Sequence, residues 1–345
     1  MKPKKFILTI VALGVLIGAY MSWDYYQRIF APNVVLDDSS KEFFIPSNAE
    51  YSYVIRSLIS KGVISDSASF DWVAQRKNYP DLVKAGRYLI LDGMNNNQLV
   101  NLLRSGDQKS IQLIIRSVRT KSELASNISR YIEADSASLI SLLTNDAFCA
   151  QYGFNTTTIF TMFLPNTYEF YWNTTAEEFV VRMAREYKRF WNEDRVAKAK
   201  ALNLSQSEVT TLASIVQSEQ AAKKDERPIV AGLYLNRLRK GMRLESDPTL
   251  IHAIGDFTIK RVLNIHKEIN SPYNTYRNAG LPPGPILLPE IESIDAVLNA
   301  STHNYLFMCA KEDFSGYHNF SSSYREHVNN AKRYQRELNR RKIYK

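Results

Sequence analysis

The sequence predicts an α+β fold preceded by a single apolar helix. Three observations lead there. An uninterrupted apolar run fills residues 6–23. Beyond it, stretches of helical periodicity outnumber short strand-like runs, and the two do not alternate as βαβ units. Over 345 residues the chain is 45% hydrophobic, enough for a packed core and roughly two domains.

The apolar run extends from Phe6 to Trp23 behind Lys2, Lys4 and Lys5, with only Thr9 and Ser22 as mild polar interruptions. About 18 residues at about 1.5 Å each give roughly 27 Å, close to the hydrocarbon thickness of a bilayer. The lysines place the N-terminus in the cytoplasm. Trp23, Tyr25 and Tyr26 follow where an interfacial aromatic belt would sit. A retained anchor and a cleaved signal both fit. The stretch Gly18 to Trp23 has no clean small-x-small cleavage site and no lipoprotein cysteine, which favours the anchor. The expected organisation is a cytoplasmic tail over 1–5, an inner-membrane helix over 6–23, a linker over 24–42, a small module over 43–110 and a larger α+β region over 111–345, everything beyond the helix being exported.

In the small module, Phe43-Phe44-Ile45 reads as a strand, and Ala49 to Lys61 as a helix with Val54, Ile55, Leu58 and Ile59 at helical spacing and Gly62 as its stop. Phe70 to Gln75 reads as a second helix, Gly86 to Leu91 as a strand and Asn97 to Arg104 as a helix closed by Gly106. This β-α-α-β-α pattern resembles the LysM-like subdomain of some cell-wall enzymes. The larger region opens with a strand over Ile111 to Arg116. Helices follow at about 121–133, 136–144, 175–191 and 194–202, with a loop-and-strand insertion over Phe163 to Phe170.

Composition narrows the function classes. A net charge of +9 leaves nucleic acid, anionic lipid and acidic polymers open. No zinc-finger spacing, RNP-like motif or Gly-rich phosphate loop is present, which argues against nucleic acid. Cys149 and Cys309 cannot build a disulfide framework, though one bridge stays open. The five histidines show no HExxH arrangement, so no metal is expected. The 20 Tyr and 16 Phe suit sugar stacking, although core packing accounts for most aromatics in any protein.

Leu204 to Gln220 reads as one helix, capped by Ser205 with Glu208 completing a capping box. Leu212, Ile215 and Val216 define an apolar face, and Glu219 falls on it while Gln217 and Ser218 point away. A carboxyl on a buried stripe is costly unless it keeps its proton or finds a partner. Two readings follow: a general acid raised above the usual value near 4.3, or a Glu paired to a core Arg such as Arg237 or Arg243. A second amphipathic helix over Ile229 to Leu238 ends in Asn236-Arg237-Leu238. Ser246 or Asp247 is placed to cap the helix after it. Tyr273-Asn274-Thr275-Tyr276 offers two stacking rings and two hydrogen-bonding side chains. Between Gly280 and Ile286, five of seven residues are Pro or Gly, a rigid loop of the kind that holds binding residues.

Taken together, Ala213-Ser214-Ile215-Val216-Gln217-Ser218-Glu219, Asn236-Arg237-Leu238, Met242 to Thr249, Tyr273 to Tyr276 and Gly280 to Ile286 resemble the MltG/YceG-like endolytic murein transglycosylases. Leu164 to Tyr168, His318-Asn319-Phe320 and His327 add to the likeness, which spans essentially the whole chain. Two departures stand out. Gln217 occupies a position where the family often has a second Glu, and Arg116-Ser117-Val118-Arg119 replaces a Thr-x-Pro-Glu-Gly-like turn.

The resemblance implies a lytic transglycosylase acting on peptidoglycan glycan strands beside peptidoglycan synthases, without a cofactor. A glycoside hydrolase usually needs two carboxylates. A lytic transglycosylase needs one, because the N-acetylmuramic acid C6 hydroxyl attacks its own C1 and closes a 1,6-anhydro ring. Glu219 would protonate the glycosidic oxygen and then take the proton from O6. Asn236, Arg237, Ser246, Asp247, Tyr273, Asn274 and Tyr276 are the candidates for holding the glycan and orienting Glu219, with an Arg237–Asp247 ion pair as the structural alternative. Two other classes stay open: a wall-binding scaffold without activity, and a hydrolase using Glu245 or Asp247 as second carboxylate.

Overall fold

A computed structural model describes residues 3–259 and 261–343; Met1 and Lys2 of the expected cytoplasmic tail, and Tyr344 and Lys345 of the basic C-terminus, lie outside the described residues. The architecture is mixed α+β and divides into two compact units. The first comprises Met1–Leu113, Tyr131–Ala134 and Glu169–Thr175, and the second comprises the remainder.

The first unit begins with α1 (Pro3–Phe30), whose stretch Ile7–Phe30 is long and apolar enough to cross a membrane. Then come β1 (Ser40–Ile45), α2 (Tyr51–Ser60), α3 (Ser67–Arg76), β2 (Gly86–Leu91) and α4 (Asn96–Ser105), in the β-α-α-β-α order the sequence predicts. Strand alternation sends Phe43 and Ile45 inward, and antiparallel pairing sets Phe43 opposite Tyr88 and Ile45 opposite Gly86. Val54 and Leu58 from α2, Phe70 and Val73 from α3 and Leu99 and Leu103 from α4 complete one apolar core. Asp66 caps α3 through Ala68 N and Ser69 N, Asn95 and Gln98 form a capping box on α4, and Gly106 ends α4 at φ 76°.

The linker expected over 24–42 is bound into this unit. Val34 is 1% exposed and belongs to the core, Asn33 and Val34 donate backbone hydrogen bonds to Met94 O, and residues 24–30 continue α1 without a break. The reason is local: Asn33 takes a side-chain bond from Asp66 N and gives one to Asn96 Oδ1, so an Asn in an apparently loose stretch closes a buried network.

The chain then forms β3 (Ile111–Ile115), α5 (Lys121–Ile128), α6 (Ser136–Leu143), α7 (Asp146–Ala150), β4 (Asn166–Phe170), α8 (Ala176–Phe190), α9 (Glu193–Ala201), α10 (Gln206–Glu219), α11 (Arg227–Arg239), α12 (Asp247–Ile254), α13 (Ile291–Leu298), β5 (Phe307–Ala310), β6 (His318–Ser321) and α14 (Tyr324–Arg340). Strand β3 pairs with β4, and β5 with β6 in antiparallel register, Ala310 opposite His318. The β5–β6 hairpin is absent from the elements expected from sequence.

Helix α10 is the axis of the second unit. The expected Ser205–Glu208 capping box starts it. It packs against α9, α11, α12 and α13 and is buried on every side from Val209 to Gln217. The single apolar face read from sequence is therefore incomplete, and Gln217 points into a packed interior. Its Oε1 accepts from Glu290 N (2.7 Å) and Ser293 Oγ (2.9 Å), and its amide donates to Ser117 Oγ (3.2 Å).

Candidate active site

Glu219 is the last residue of α10, where the helix meets a cleft of about 330 Å³. The helix stops because Gln220 turns away at φ −129°, ψ 76°, and its side chain is held by Glu226 Oε2, Gly316 O and Lys223 N. Glu219 is half-buried and opens on the cleft. Tyr234 OH (2.8 Å) and Ser246 Oγ (2.5 Å) both donate to its Oε1. An oxygen that accepts two such bonds does not hold the acid proton, so in the acid form that proton sits on Oε2. Among the described residues no hydrogen bond occupies Oε2.

Burial pushes the Glu219 carboxyl above its ordinary value, against the Ser246 and Tyr234 hydrogen bonds; the Asp247 charge adds to the rise and His318 opposes it. Its place at a helix C-terminus acts in the same direction, because the last carbonyls present negative charge. Tyr234 stays a phenol, since burial and the neighbouring Glu219 charge push it well above its ordinary value. Among the described residues Glu219 has no ion pair, so the expected alternative of a salt bridge to Arg237 or Arg243 is not what the structure contains.

Arg237 is 6% exposed and faces the cleft, but its guanidinium is spent on Glu245 Oε2 (2.5 Å), Arg243 O (2.8 Å) and Leu306 O (2.9 Å). The ion pair is thus with Glu245 rather than Asp247. Asp247 lines the cleft and accepts from Tyr276 OH at 2.6 Å; burial and Asp247 push that phenol well above its usual range, so it remains a donor. Ser246 lies fully buried behind Glu219 and occupies the N-cap position of α12 without capping it, because its hydroxyl is diverted to Glu219.

Three candidates sit away from this cleft wall. Asn236 donates to His303 O (2.7 Å) and Tyr305 O (3.1 Å). Asn274 is fully buried, donates to Lys267 O and Ile269 O, and accepts from Tyr276 N, so it shapes the turn that presents Tyr276. Tyr273 packs on His252 with ring centroids 4.6 Å apart and lines a second cavity of about 290 Å³ with Arg119 and Lys121. The Pro/Gly loop seats on α10, Ile286 N donating to Ser214 Oγ at 3.0 Å.

Sequence reasoning did not single out Tyr234 or Glu226. Tyr234 reaches Glu219 from the next helix, and Glu226 reaches His318 across 92 residues, so neither contact leaves a local pattern. Cys149 and Cys309 are both free thiols, the first buried and the second on the cleft wall. Among the described residues no group of three or more His, Cys, Asp or Glu could hold a metal ion.

Known proteins carry the same pattern. The chain is 28% identical to an endolytic murein transglycosylase of Bacillus subtilis over 91% of this chain and 89% of that protein. It is 25% identical to an endolytic murein transglycosylase of Streptococcus pneumoniae over 89% of this chain, but spans only 61% of that longer protein. A crystal structure of a yceG-like protein from Listeria monocytogenes superimposes with a TM-score of 0.57 at 26% identity, over 84% of this chain and 98% of that one. The model of the YceG-like family matches residues 43–333, a span that holds Glu219, Tyr234, Ser246 and the whole cleft wall. With most of its length inside that match, the chain belongs to the YceG-like family.

Proposed function

We propose that this chain is an endolytic murein transglycosylase, held in the inner membrane by α1, that cuts peptidoglycan strands on the outer side and so ends their elongation beside peptidoglycan synthases. The observation that carries the chemistry is the state of Glu219. Its carboxyl opens on a cleft, burial raises it above its ordinary value, and two donors on Oε1 leave Oε2 free to carry and transfer a proton. A proton given from Oε2 to the glycosidic oxygen breaks the C1–O bond, and O6 of the muramic C6 hydroxyl forms the new bond to C1 as its proton passes to the Glu219 carboxylate, which is thereby restored to its acid form. Because that hydroxyl belongs to the same sugar, its effective concentration is very high and no water nucleophile is needed.

Asp247 and Tyr276 hold the glycan along the cleft, with Arg237 as the brace of its wall, while Asn236 and Asn274 fix the backbone around them. Tyr273 with His252 is a stacking platform for a flanking sugar. The module over residues 43–110 is the LysM-like subdomain that positions strands without cutting them. The hydrolase alternative is weakened by the engagement of both candidate second carboxylates, Glu245 by Arg237 and Asp247 by Tyr276.

Mass spectrometry of uncrosslinked glycan strands digested with purified protein tests the reading. The expected products carry 1,6-anhydro-muramic ends released from within strands. Glu219→Gln keeps the shape but cannot transfer a proton, so turnover should fall about a hundredfold or more. Free reducing ends with water-derived oxygen would replace the reading by hydrolysis, and an absence of new ends by a scaffold.

A further inference from the structure

The stretch Arg116 to Arg119, where the chain departs from the family pattern, ends on the wall of the second cavity, the one of about 290 Å³. Arg119, Lys121, Phe160, His252, Tyr273 and Pro285 line that cavity, and among the described residues no carboxylate does. Its shape is set by close packing. A Cβ at Gly284, in the Pro/Gly loop, would lie 2.8 Å from Thr157 Cγ2 and 3.2 Å from Tyr273 Oη. Lys121 Nζ is tied to Leu143 O (3.2 Å) and Thr156 O (2.8 Å). Burial draws that amine below the ordinary lysine value, so the fixed charge of the cavity is the Arg119 guanidinium.

That guanidinium lies over the Phe257 ring, 4.6 Å from its centroid. Stacking holds its plane and leaves its N–H edge open. Among the described residues the edge has no hydrogen bond and no ion pair. Glu123, the nearest acid in sequence, accepts from the Arg119 backbone N at 2.8 Å. An uncommitted guanidinium edge suits a carboxylate, which it binds through two parallel N–H···O bonds.

The cavity is also within reach of the cut. Helix α12 carries Asp247 on the Glu219 cleft and His252 on the cavity. Five residues at about 1.5 Å each set them roughly 7.5 Å apart along the axis, about one or two sugar rings. The turn Tyr273 to Tyr276 makes the same link, with Tyr276 on the cleft and Tyr273 on the cavity. A strand held at Asp247 and Tyr276 thus brings a neighbouring sugar to Arg119. A neutral sugar offers that side chain no charge, whereas the muramic sugars of peptidoglycan carry peptides with free carboxylates.

Resting on the transglycosylase reading, we propose that this cavity is the subsite for a stem-peptide carboxylate on a muramic sugar flanking the cut, and that Arg119 binds it. The protein then selects strands that still carry charged peptides. Arg119 touches no reacting atom, so its contribution falls on binding and appears in KM rather than kcat.

Steady-state kinetics on the full chain in detergent decide the matter. Uncrosslinked strands are compared with the same strands after carbodiimide amidation, which neutralises their carboxylates and leaves the peptides in place. Arg119→Gln should raise KM about fivefold on untreated strands, with kcat within about twofold of wild type. Arg119→Lys, which keeps the charge without the fork, should lie between the two. On amidated strands the wild type should weaken at least as much, and Arg119→Gln should match it. An Arg119→Gln KM within about twofold of wild type on untreated strands would overturn the proposal. So would a gap that persists on amidated strands, since the residue would then act without the carboxylate. The products report separately on the underlying reading. Anhydro ends with an unaffected variant sink only the subsite, reducing ends with an affected variant sink only the ring closure, and an absence of new ends sinks both.

Discussion

A carboxyl at the C-terminus of a helix, half out of water, is held against two opposing pulls. Burial and the Asp247 charge raise Glu219, and the Ser246 and Tyr234 bonds lower it. The net rise has a cost in stability with a definite sign. The folded state binds the proton more tightly than the unfolded chain, so the group's favourable contribution is complete below about 4.5 and is lost as pH rises through its raised folded value. Glu219→Gln, whose amide oxygen can still accept from Tyr234 and Ser246, should therefore be more stable than wild type at neutral and alkaline pH, on the order of 1 kcal/mol, with the difference vanishing below pH 4.5. Thermal melts across pH check this; a variant less stable than wild type at pH 8 would contradict it. Ser246→Ala removes a bond that lowers Glu219, so the alkaline limb of the activity profile should move to higher pH. Maximal turnover should fall roughly tenfold from the lost positioning. The position of Glu219 was legible in the sequence, because helical phase put a carboxyl beside Leu212 and Ile215; that phase left an Arg pair equally open, and the proposed acid role came from the resemblance. Its clamp was not, since Tyr234 and Ser246 approach from two other elements. Gln217 and Ser117, the two places where the chain departs from the family pattern, hydrogen-bond to each other, a coupling that 100 residues of separation conceal.

At the scale of elements, α10 shows how a helix hides its polarity. Thr210 Oγ1 donates to Gln206 O, Ser214 Oγ to Thr211 O and Ser218 Oγ to Ser214 O. Small hydroxyls that bond back to their own helix need no outside partner, so a stripe that reads as polar can be buried. That is why the sequence located the ends and cap of α10 yet gave it only one buried face. The β5–β6 hairpin escaped for a related reason: its strands have four residues each, too few for alternation to register. Helix α11 adds a constraint on the cleft. A Cβ on Gly232 would lie 2.3 Å from Ser301 O and 2.7 Å from His303 Nε2. Ala is the better helix former by roughly 1 kcal/mol, but the neighbour here is backbone, and overpacking of this kind costs about 1–3 kcal/mol. Gly232→Ala should lower the denaturation midpoint. It should also lower kcat/KM, because the displaced segment leads through Tyr305 into the cleft residues Leu306 and Phe307. A more stable variant would show that the close approach is not a constraint.

Over the whole molecule, the apolar run and the α+β class were plain from composition and periodicity, whereas the junction between helix and fold was not. Residues 24–30 carry charges and aromatics that read as an interfacial belt followed by linker. In the structure they form the last two turns of α1 and pack on the first unit. Tyr25 meets Trp72 edge-on at 4.9 Å, Arg76 lies 3.6 Å over the Trp72 ring, and Asn96 Nδ2 donates to Arg28 O at 2.9 Å. Asn96 is 1% exposed, so removing Arg28 O strands a buried donor, a loss of about 1–3 kcal/mol. The aromatic pair adds about 1 kcal/mol. A chain beginning at Asp24 should thus be soluble and melt like the full chain in detergent, and one beginning at Ala31 should melt roughly 5 °C or more lower. The comparison separates two kinds of anchor. Equal melting of the two truncations would mean that α1 is a free tether whose last turns merely rest on the surface. The expected difference would mean that the proposed membrane helix runs without a hinge into the first unit, which then stands at a fixed height above the bilayer.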